Sequence, residues 1–414
     1  MTENEMKPSI RFKGFTDAWE QRKLKEVSEK LYVGQSFSND LMDDGPYIVM
    51  DMGTVDQEGN RLEHKKTNVK RDLLKTGDLV MPKDDIGGGL IIGKTAYIPC
   101  ENKYLLGDHV FRIRLNNING LFTHYETLSP YFNSSIKLKV TGSAQLGIKS
   151  STVENEIITY PSLEEQKIIG ELFNNLEHLI TLHQRKCDKL QDLKKSLLEK
   201  MFPAEGSNTP SIRFKGFTDA WEQRKFDEVV SRIGTGLNPR DNFVLNNGGE
   251  NYYVTIKNFE HGHLCLDNGC DKVDDEALKL IQARSDLKVN DILFTSIGRI
   301  GDCYLIAKQP QNWNINESVF TLRPNQIEVE PEYLFHVIHS EKVLNQILSD
   351  VTGSTFKSIK IGDLKKTDIP KPSKSEQLKI AHFATKLENI ITLHQRKCEK
   401  LKNIKKSLLE KMFV

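Results

Sequence analysis

Any chemistry in this chain has to begin from a few small clusters. His261, His263, Cys265 and Cys270 place four residues of zinc-ligand type within ten positions. Structural zinc sites usually draw on closely paired ligands such as Cys-x-x-Cys, and the six cysteines (Cys100, Cys187, Cys265, Cys270, Cys303, Cys398) form no such pair. The loose spacing favours a chance cluster on a hairpin, so no metal is expected. Ser129-Pro130-Tyr131-Phe132 partly matches the Asn/Asp-Pro-Pro-Tyr/Phe motif with which adenine methyltransferases hold an exocyclic amine. It lacks both the second proline and the amide or carboxylate. Gly87-Gly88-Gly89 lacks the strand–GxGxxG–helix setting of a nucleotide loop, and no Walker A sequence occurs. No catalytic residue is assigned.

Binding groups are easier to find. Residues 60–95 carry eight basic residues (Arg61, Lys65, Lys66, Lys70, Arg71, Lys75, Lys83, Lys94) against five acidic ones. Residues 134–152 carry Lys137, Lys139 and Lys149 with no acid, and 352–374 carry six lysines against two aspartates. Such runs hold phosphates in nucleic-acid readers, although a solvated face is the plainer reading of any one residue. Thr141-Gly142-Ser143 and Thr352-Gly353-Ser354 are short and polar enough to let backbone approach a phosphate. Gln145, Lys149, Thr355, Lys357 and Lys360 stand within reach of them. Each segment could equally be an ordinary turn with a helix cap. Lys83 precedes the glycine turn at 87–89 and Arg299 lies within the one at 298–301; a plain hairpin is the simpler reading of both turns.

The elements that must position these groups are laid out by an internal repeat. Residues 8–23, PSIRFKGFTDAWEQRK, return letter for letter at 210–225. Residues 180–202 return at 391–413 with 19 of 23 positions identical. Between these blocks, 24–140 and 226–351 diverge. A period above 200 residues means a duplicated domain pair rather than a solenoid. The frame does one job twice, while the inserts do two versions of another.

The inserts nevertheless share a skeleton. Tyr47-Ile48-Val49 matches Tyr252-Tyr253-Val254, Gly77-Asp78-Leu79-Val80 matches Asn290-Asp291-Ile292-Leu293, and Val110-Phe111 matches Val319-Phe320. Short strands with glycine turns, followed by helical stretches near 121–140 and 332–350, predict a mixed α+β domain in each half.

After each insert the spacing predicts a long helix, over 163–202 and 374–413. Pro161-Ser162 with Glu165, and Pro372-Ser373 with Glu376, read as N-terminal capping boxes. Steps of three and four set an apolar seam through Ile169, Leu172, Leu176, Leu179, Leu190, Leu193 and Leu197. The second helix repeats it as Ile380, Phe383, Leu387, Ile390, Leu401, Ile404 and Leu408. His183 and His394 interrupt the seams at the two helix midpoints. They either meet and fix an antiparallel register or face water at a loose crossing. Forty residues make a rod of about 60 Å, so antiparallel pairing predicts a dumbbell with a pseudo-two-fold axis. The same symmetry would pack residues 8–18 near the end of the second helix, with Ile10, Phe12 and Phe15 burying apolar surface.

The bulk numbers agree with a soluble globular chain. The 414 residues are 38% hydrophobic and 28% charged, and the net charge of +1 gives no overall field toward nucleic acid. Met1 to Lys7 lack the apolar stretch of a secretory signal, no run approaches a membrane span, and a cytoplasmic location is the expectation.

The ordered motifs resemble a known family. The PSxxEQxxI words (Pro161, Ser162, Glu165, Gln166, Ile169; Pro372, Ser373, Glu376, Gln377, Ile380) are similar to the start of the spacer helices in specificity subunits of type I restriction–modification enzymes. The TGS segments and the WEQRK words, Trp19 to Lys23 and Trp221 to Lys225, are similar as well. The resemblance covers nearly the whole chain and implies a repeat segment at 1–18, a target-recognition domain at 19–161 and a spacer helix at 162–202. A linker repeat at 203–220, a second recognition domain at 221–372 and a second spacer helix at 373–414 follow.

It further implies double-stranded DNA with a bipartite target as the ligand, each domain reading one half. Two methyltransferase subunits would dock on the helices and restriction/translocase subunits would join them. S-adenosylmethionine, ATP and magnesium would belong to those partners, with no cofactor held by this chain. Half-sites on one face of B-DNA lie about 34–36 Å apart, well within the predicted span. The competing readings are a self-contained methyltransferase or nuclease, which would bind S-adenosylmethionine or cut with magnesium, and a pure coiled-coil scaffold. The last gives no reason for two different inserts.

Overall fold

Hydrophobic runs of four residues bounded by Gly-Asp or Asn-Asp turns make the central strands. In the computed structural model, which describes residues 7–142, 145–260, 263–267, 269–352 and 357–414, Leu79–Pro82 and Ile292–Thr295 are both wholly buried. The chain divides into two units, one of Met1–Arg185 with Gln395–Val414 and one of Lys186–His394.

In the first unit an antiparallel sheet runs in the order Tyr32–Val33, Val110–Ile113, Leu79–Pro82, Ala96–Tyr97. A second sheet holds Leu41–Met42, Lys66–Thr67, Tyr47–Met50 and Tyr104–Leu106, the last two parallel. Helices Gly120–Leu128 and Pro130–Lys137 cover the core, where Phe111, Ile113, Phe132 and Ile136 join Leu79 and Met81. Ser129 is the N-cap of the second helix and accepts from the Phe132 N–H at 3.5 Å, with Pro130 at the first helical position. The Ser-Pro-Tyr-Phe motif is therefore a helix start.

The second unit repeats the plan with other side chains. Its antiparallel sheet runs Val230–Thr235, Val319–Pro324, Ile292–Thr295, Cys303–Leu305. Its other main sheet holds Asp271–Val273, Asn251–Val254 and Trp313–Ile315, again with the last pair parallel. The skeleton matches read from the sequence thus hold strand for strand. A helix, Asp275–Ser285, capped by the Asp274 carboxylate on the Ala277 N–H at 2.8 Å, adds to this sheet's packing.

Each unit fixes its Asp turn in one way. Arg114 donates two hydrogen bonds to Asp78, at 2.7 and 2.6 Å, and Arg323 donates two to Asp291, both at 2.9 Å. The carboxylates also accept from the Lys75 and Lys288 N–H groups, both at 2.8 Å.

The long helices span Leu163–Met201 and Lys374–Lys411. In the first unit Lys405 pairs with Glu177 and the Cys398 thiol lies 3.9 Å from the Ile180 carbonyl; in the second, Lys194 pairs with Glu388. Rising numbers on one helix meet falling numbers on the other, so the packing is antiparallel within the first unit. In the second, Leu198 and Met201 share a core with Ile380 and Ala381, which gives the same direction.

The buried seam is Ile169, Phe173, Ile180, Cys187 and, on the other helix, Ile380, Ala384, Ile391, Cys398. This corrects the seam read from the leucines. Ile169, Leu176, His183 and Leu190 keep inward or half-buried places, as do Ile380, Leu387, His394 and Leu401, but Leu179 is 41% exposed, Leu193 and Ile404 are exposed, and Ile390 is at the margin of exposure. Leu172, Leu197, Phe383 and Leu408 are half-buried. Steps of four then three from Ile169 fit the heptad as well as three then four, and the small residues Ala384, Cys187 and Cys398 gave no strong apolar signal. Among the described residues no helix is long and apolar enough to cross a membrane.

Candidate nucleic-acid interface

The repeated words meet each other. Arg11 donates to both oxygens of Glu165, each at 2.8 Å, and Arg213 donates to both oxygens of Glu376, at 2.7 and 2.8 Å. Both carboxylates are buried. The next residue clamps the helix start: the Gln166 side chain donates to the Pro161 carbonyl and accepts from the Asn119 N–H, both at 2.8 Å. Gln377 does the same with the Pro372 carbonyl and the Glu330 N–H. Ser162 Oγ accepts the Glu165 N–H at 3.4 Å, so the serine half of the expected capping box stands in the first helix, while the glutamate side chains answer an arginine from the other repeated word instead of reaching back to the cap.

Residues 8–18 dock as the symmetry predicts, though by backbone. The Ile10 N–H donates to the Lys411 carbonyl at 3.0 Å, as Ile212 donates to Lys200 at 2.9 Å in the second unit. Phe12 packs on the cluster of Trp19, Phe122, Met412 and Phe413, and Phe15 is half-buried. Ile10, expected to bury its side chain, is 41% exposed because its main chain makes the contact.

On this frame the two kinds of candidate loop come together in each unit. In the first, the Thr141 and Gly147 backbones exchange hydrogen bonds at 2.9 and 2.8 Å, closing the loop. Leu146–Gly147 pairs antiparallel with Asp84–Asp85, at the foot of the Gly87–Gly89 turn, and the Ile148 N–H reaches the Lys83 carbonyl at 2.9 Å. In the second, Thr352 and Ser358 exchange bonds at 3.0 Å each, Ile359 donates to the Ser296 carbonyl, and Gly298 donates to the Lys357 carbonyl at 3.3 Å. Both units therefore present a Thr-closed loop hydrogen-bonded to a glycine turn. Ser143, Gly353, Ser354 and Thr355 lie outside the described residues.

Around these edges Thr141, Gly142, Gln145, Lys149, Thr352, Lys357 and Lys360 are exposed. Lys83 is partly exposed, 3.6 Å from Asp84, whose carboxylate also meets His109 Nδ1 at 2.7 Å. Arg299 is tied inward, donating to the Ile256 and Phe259 carbonyls, with Asp302 at 3.3 Å.

The basic run at 60–95 is mostly used internally. Lys65 meets Asp51 at 2.5 Å, Lys66 meets Asp44 at 3.0 Å, and Arg71 meets Asp40 at 2.9 Å while stacking on Phe37. Burial, with the Lys137 charge adding to it, holds the Lys94 ammonium below its ordinary range. Lys70 and Lys75 remain exposed. The acids that answer Lys65, Lys66 and Arg71 lie outside residues 60–95.

Three strongly shifted groups lie on core helices. Burial pushes the Glu126 carboxyl up to about 8, against the opposing effect of the Thr159 N–H and hydroxyl that it accepts. Position 370, which corresponds to Thr159, is a proline with no N–H to satisfy, and position 337, which corresponds to Glu126, is valine. Glu126 therefore serves a strand. Burial lowers His124 to about 3 and His336 to about 4, so both are neutral. In the cysteine cluster the Cys270 thiol accepts from Asn258 Nδ2 at 2.9 Å and from the Asp267 N–H at 3.3 Å, completing a turn. His263 is exposed, and His261 lies outside the described residues.

Residues 16–192 and 218–403 match the family described as type I restriction modification DNA specificity domain. The type I restriction enzyme EcoKI specificity subunit of Escherichia coli K12 is 23% identical over 368 residues, covering 83% of this chain and 77% of that protein. The EcoBI specificity subunit of E. coli is 22% identical over 369 residues, covering 81% and 74%. The crystal structure of a type I restriction–modification S subunit from M. genitalium superposes with a TM-score of 0.62, at 15% identity, over 99% of both chains. That likeness is one of fold.

Proposed function

We propose, for a chain that belongs to the type I restriction–modification DNA specificity family, that each unit reads one half of a split DNA target and that the chain carries no catalysis of its own. The observation that carries this reading is the repeated edge: a Thr-closed segment hydrogen-bonded to a glycine turn, with exposed lysines beside it (Lys149 in the first unit, Lys357 and Lys360 in the second), built twice from unlike inserts on one frame. Lysines suit phosphates, and the variable side chains between them suit base edges.

The helices supply the second part of the reading. Leu179, Leu182 and Ile404 face solvent in the first unit; Ile390, Leu393 and Leu193 occupy the same repeat positions in the second. Apolar side chains exposed at equal positions in two copies support two like partners, which the family reading makes methyltransferase subunits, with restriction/translocase subunits joining them. S-adenosylmethionine, ATP and magnesium would then be held by those partners, in the cytoplasm.

Exchange of residues 24–140 for the insert of another family member tests the two-reader part. One half of the methylated motif is expected to change; a change in both halves would refute it. The purified chain alone is expected to transfer no labelled methyl group and to leave DNA uncut, and transfer by chain free of partner would restore the enzyme reading.

A further inference from the structure

The edge of the first unit carries an apolar tip that its fold does not use. Ile86, at the start of the Gly87–Gly89 turn, is 71% exposed, and Leu90 at the other end is also exposed. The turn is built to hold them there. The Asp85 carboxylate accepts the Gly87 N–H at 2.6 Å and the Ile91 N–H at 3.3 Å, pinning both ends. Gly88 and Gly89 take φ of +86° and +79°, which an L side chain rarely adopts. A side chain at Gly89 would meet Leu146 at 3.0 Å, so the turn leans on the neighbouring loop.

A pinned turn that holds isoleucine and leucine out in water offers an apolar tip to a receiving surface. The surroundings say which kind. The tip belongs to a short two-stranded ribbon, Asp84–Asp85 with Leu146–Gly147, and the major groove of B-DNA admits a two-stranded ribbon. Lys83 and Lys149, beside the ribbon, suit the phosphates on the groove walls. Inside that groove the apolar feature of a base edge is the 5-methyl group of thymine. The second unit's turn differs: Ile300 is half-buried, and Arg299 is tied to backbone carbonyls.

We infer that Ile86 is a specificity-determining residue that reads a thymine methyl group in the half-site of the first unit. The inference rests on the DNA-reading function proposed above.

The test uses the chain assembled with its methyltransferase subunits and a duplex bearing its mapped motif. Thymines in the half assigned to residues 24–140 are replaced one at a time by deoxyuridine, which lacks only the 5-methyl group. At one position the wild-type complex is expected to bind about fourfold more weakly, the worth of one buried methyl. Ile86→Ala should bind the two duplexes equally, and Ile86→Leu should keep part of the difference. Wild-type binding that ignores every replacement, or a half-site with no T·A pair, overturns the inference alone. An Ile86→Ala complex that still discriminates as the wild type does overturns it too. A chain that confers no methylated motif refutes the DNA-reading function, and this inference falls with it.

Discussion

Replacing Arg11 with methionine should loosen the first unit in a way that depends on pH. Glu165 is 0% exposed and both of its oxygens accept from Arg11. Removing one partner of a buried pair leaves an uncompensated charge, at a cost of about 3–5 kcal/mol. A stripped carboxyl can take up a proton instead, and for an ordinary glutamic acid at pH 7 that costs about 3–4 kcal/mol. The smaller figure sets the outcome. For a unit of about 200 residues, each kcal/mol moves the melting temperature by about 2–4 °C, so Arg11→Met should lower it by about 6–16 °C at pH 7. Because protonation is the relief, the gap to wild type should narrow toward pH 5. The double variant Arg11→Met, Glu165→Met, which removes both charges, should recover most of the loss. Differential scanning calorimetry from pH 5 to pH 8 reads all three results. If Arg11→Met unfolds within about 1 °C of wild type, or the double variant is no better than the single one, the repeated words do not hold each other as described.

Glu126 gives the opposite pH dependence. Its carboxyl is raised to about 8 by burial, so its contribution is complete below the usual carboxylate range and is lost as pH rises through 8. Wild type should lose up to about 5 kcal/mol over that span, while Glu126→Gln, which still accepts from Thr159, should show little of the slope; equal slopes in paired melts at pH 5 and pH 9 would rule this out.

Much of the architecture was legible because it is written twice. The exact repeat marks the frame, and the paired Gly-Asp and Asn-Asp turns mark the central strands that the structure places in equivalent sheets. What was not legible depends on partners far away in the chain. Arg11 and Glu165 each stand in a repeated word, which is a usable signal, yet nothing local says that they meet. The helix seam was assigned to leucines, while the fold buries Cys187, Ala384 and Cys398 and leaves Leu179 outside, since close helix packing selects small residues as readily as large ones. The basic run suggested phosphate contacts; Asp40, Asp44 and Asp51 neutralise much of it. The segments that follow Thr141 and Thr352 and the glycine turns stand far apart in the sequence, and the hydrogen bonds that join Leu146–Gly147, Lys357 and Ile359 to the turn strands emerge only from the strand pairing.

The central claim is that this chain chooses a split DNA target for a methyltransferase. Long-read methylation mapping of cells with and without the chain tests it most directly. The account predicts an adenine-methylated motif of two short defined halves around an unspecified gap, present with the chain and absent without it. The same motifs in both cells, or a chain-dependent motif that is continuous and has no gap, would contradict it.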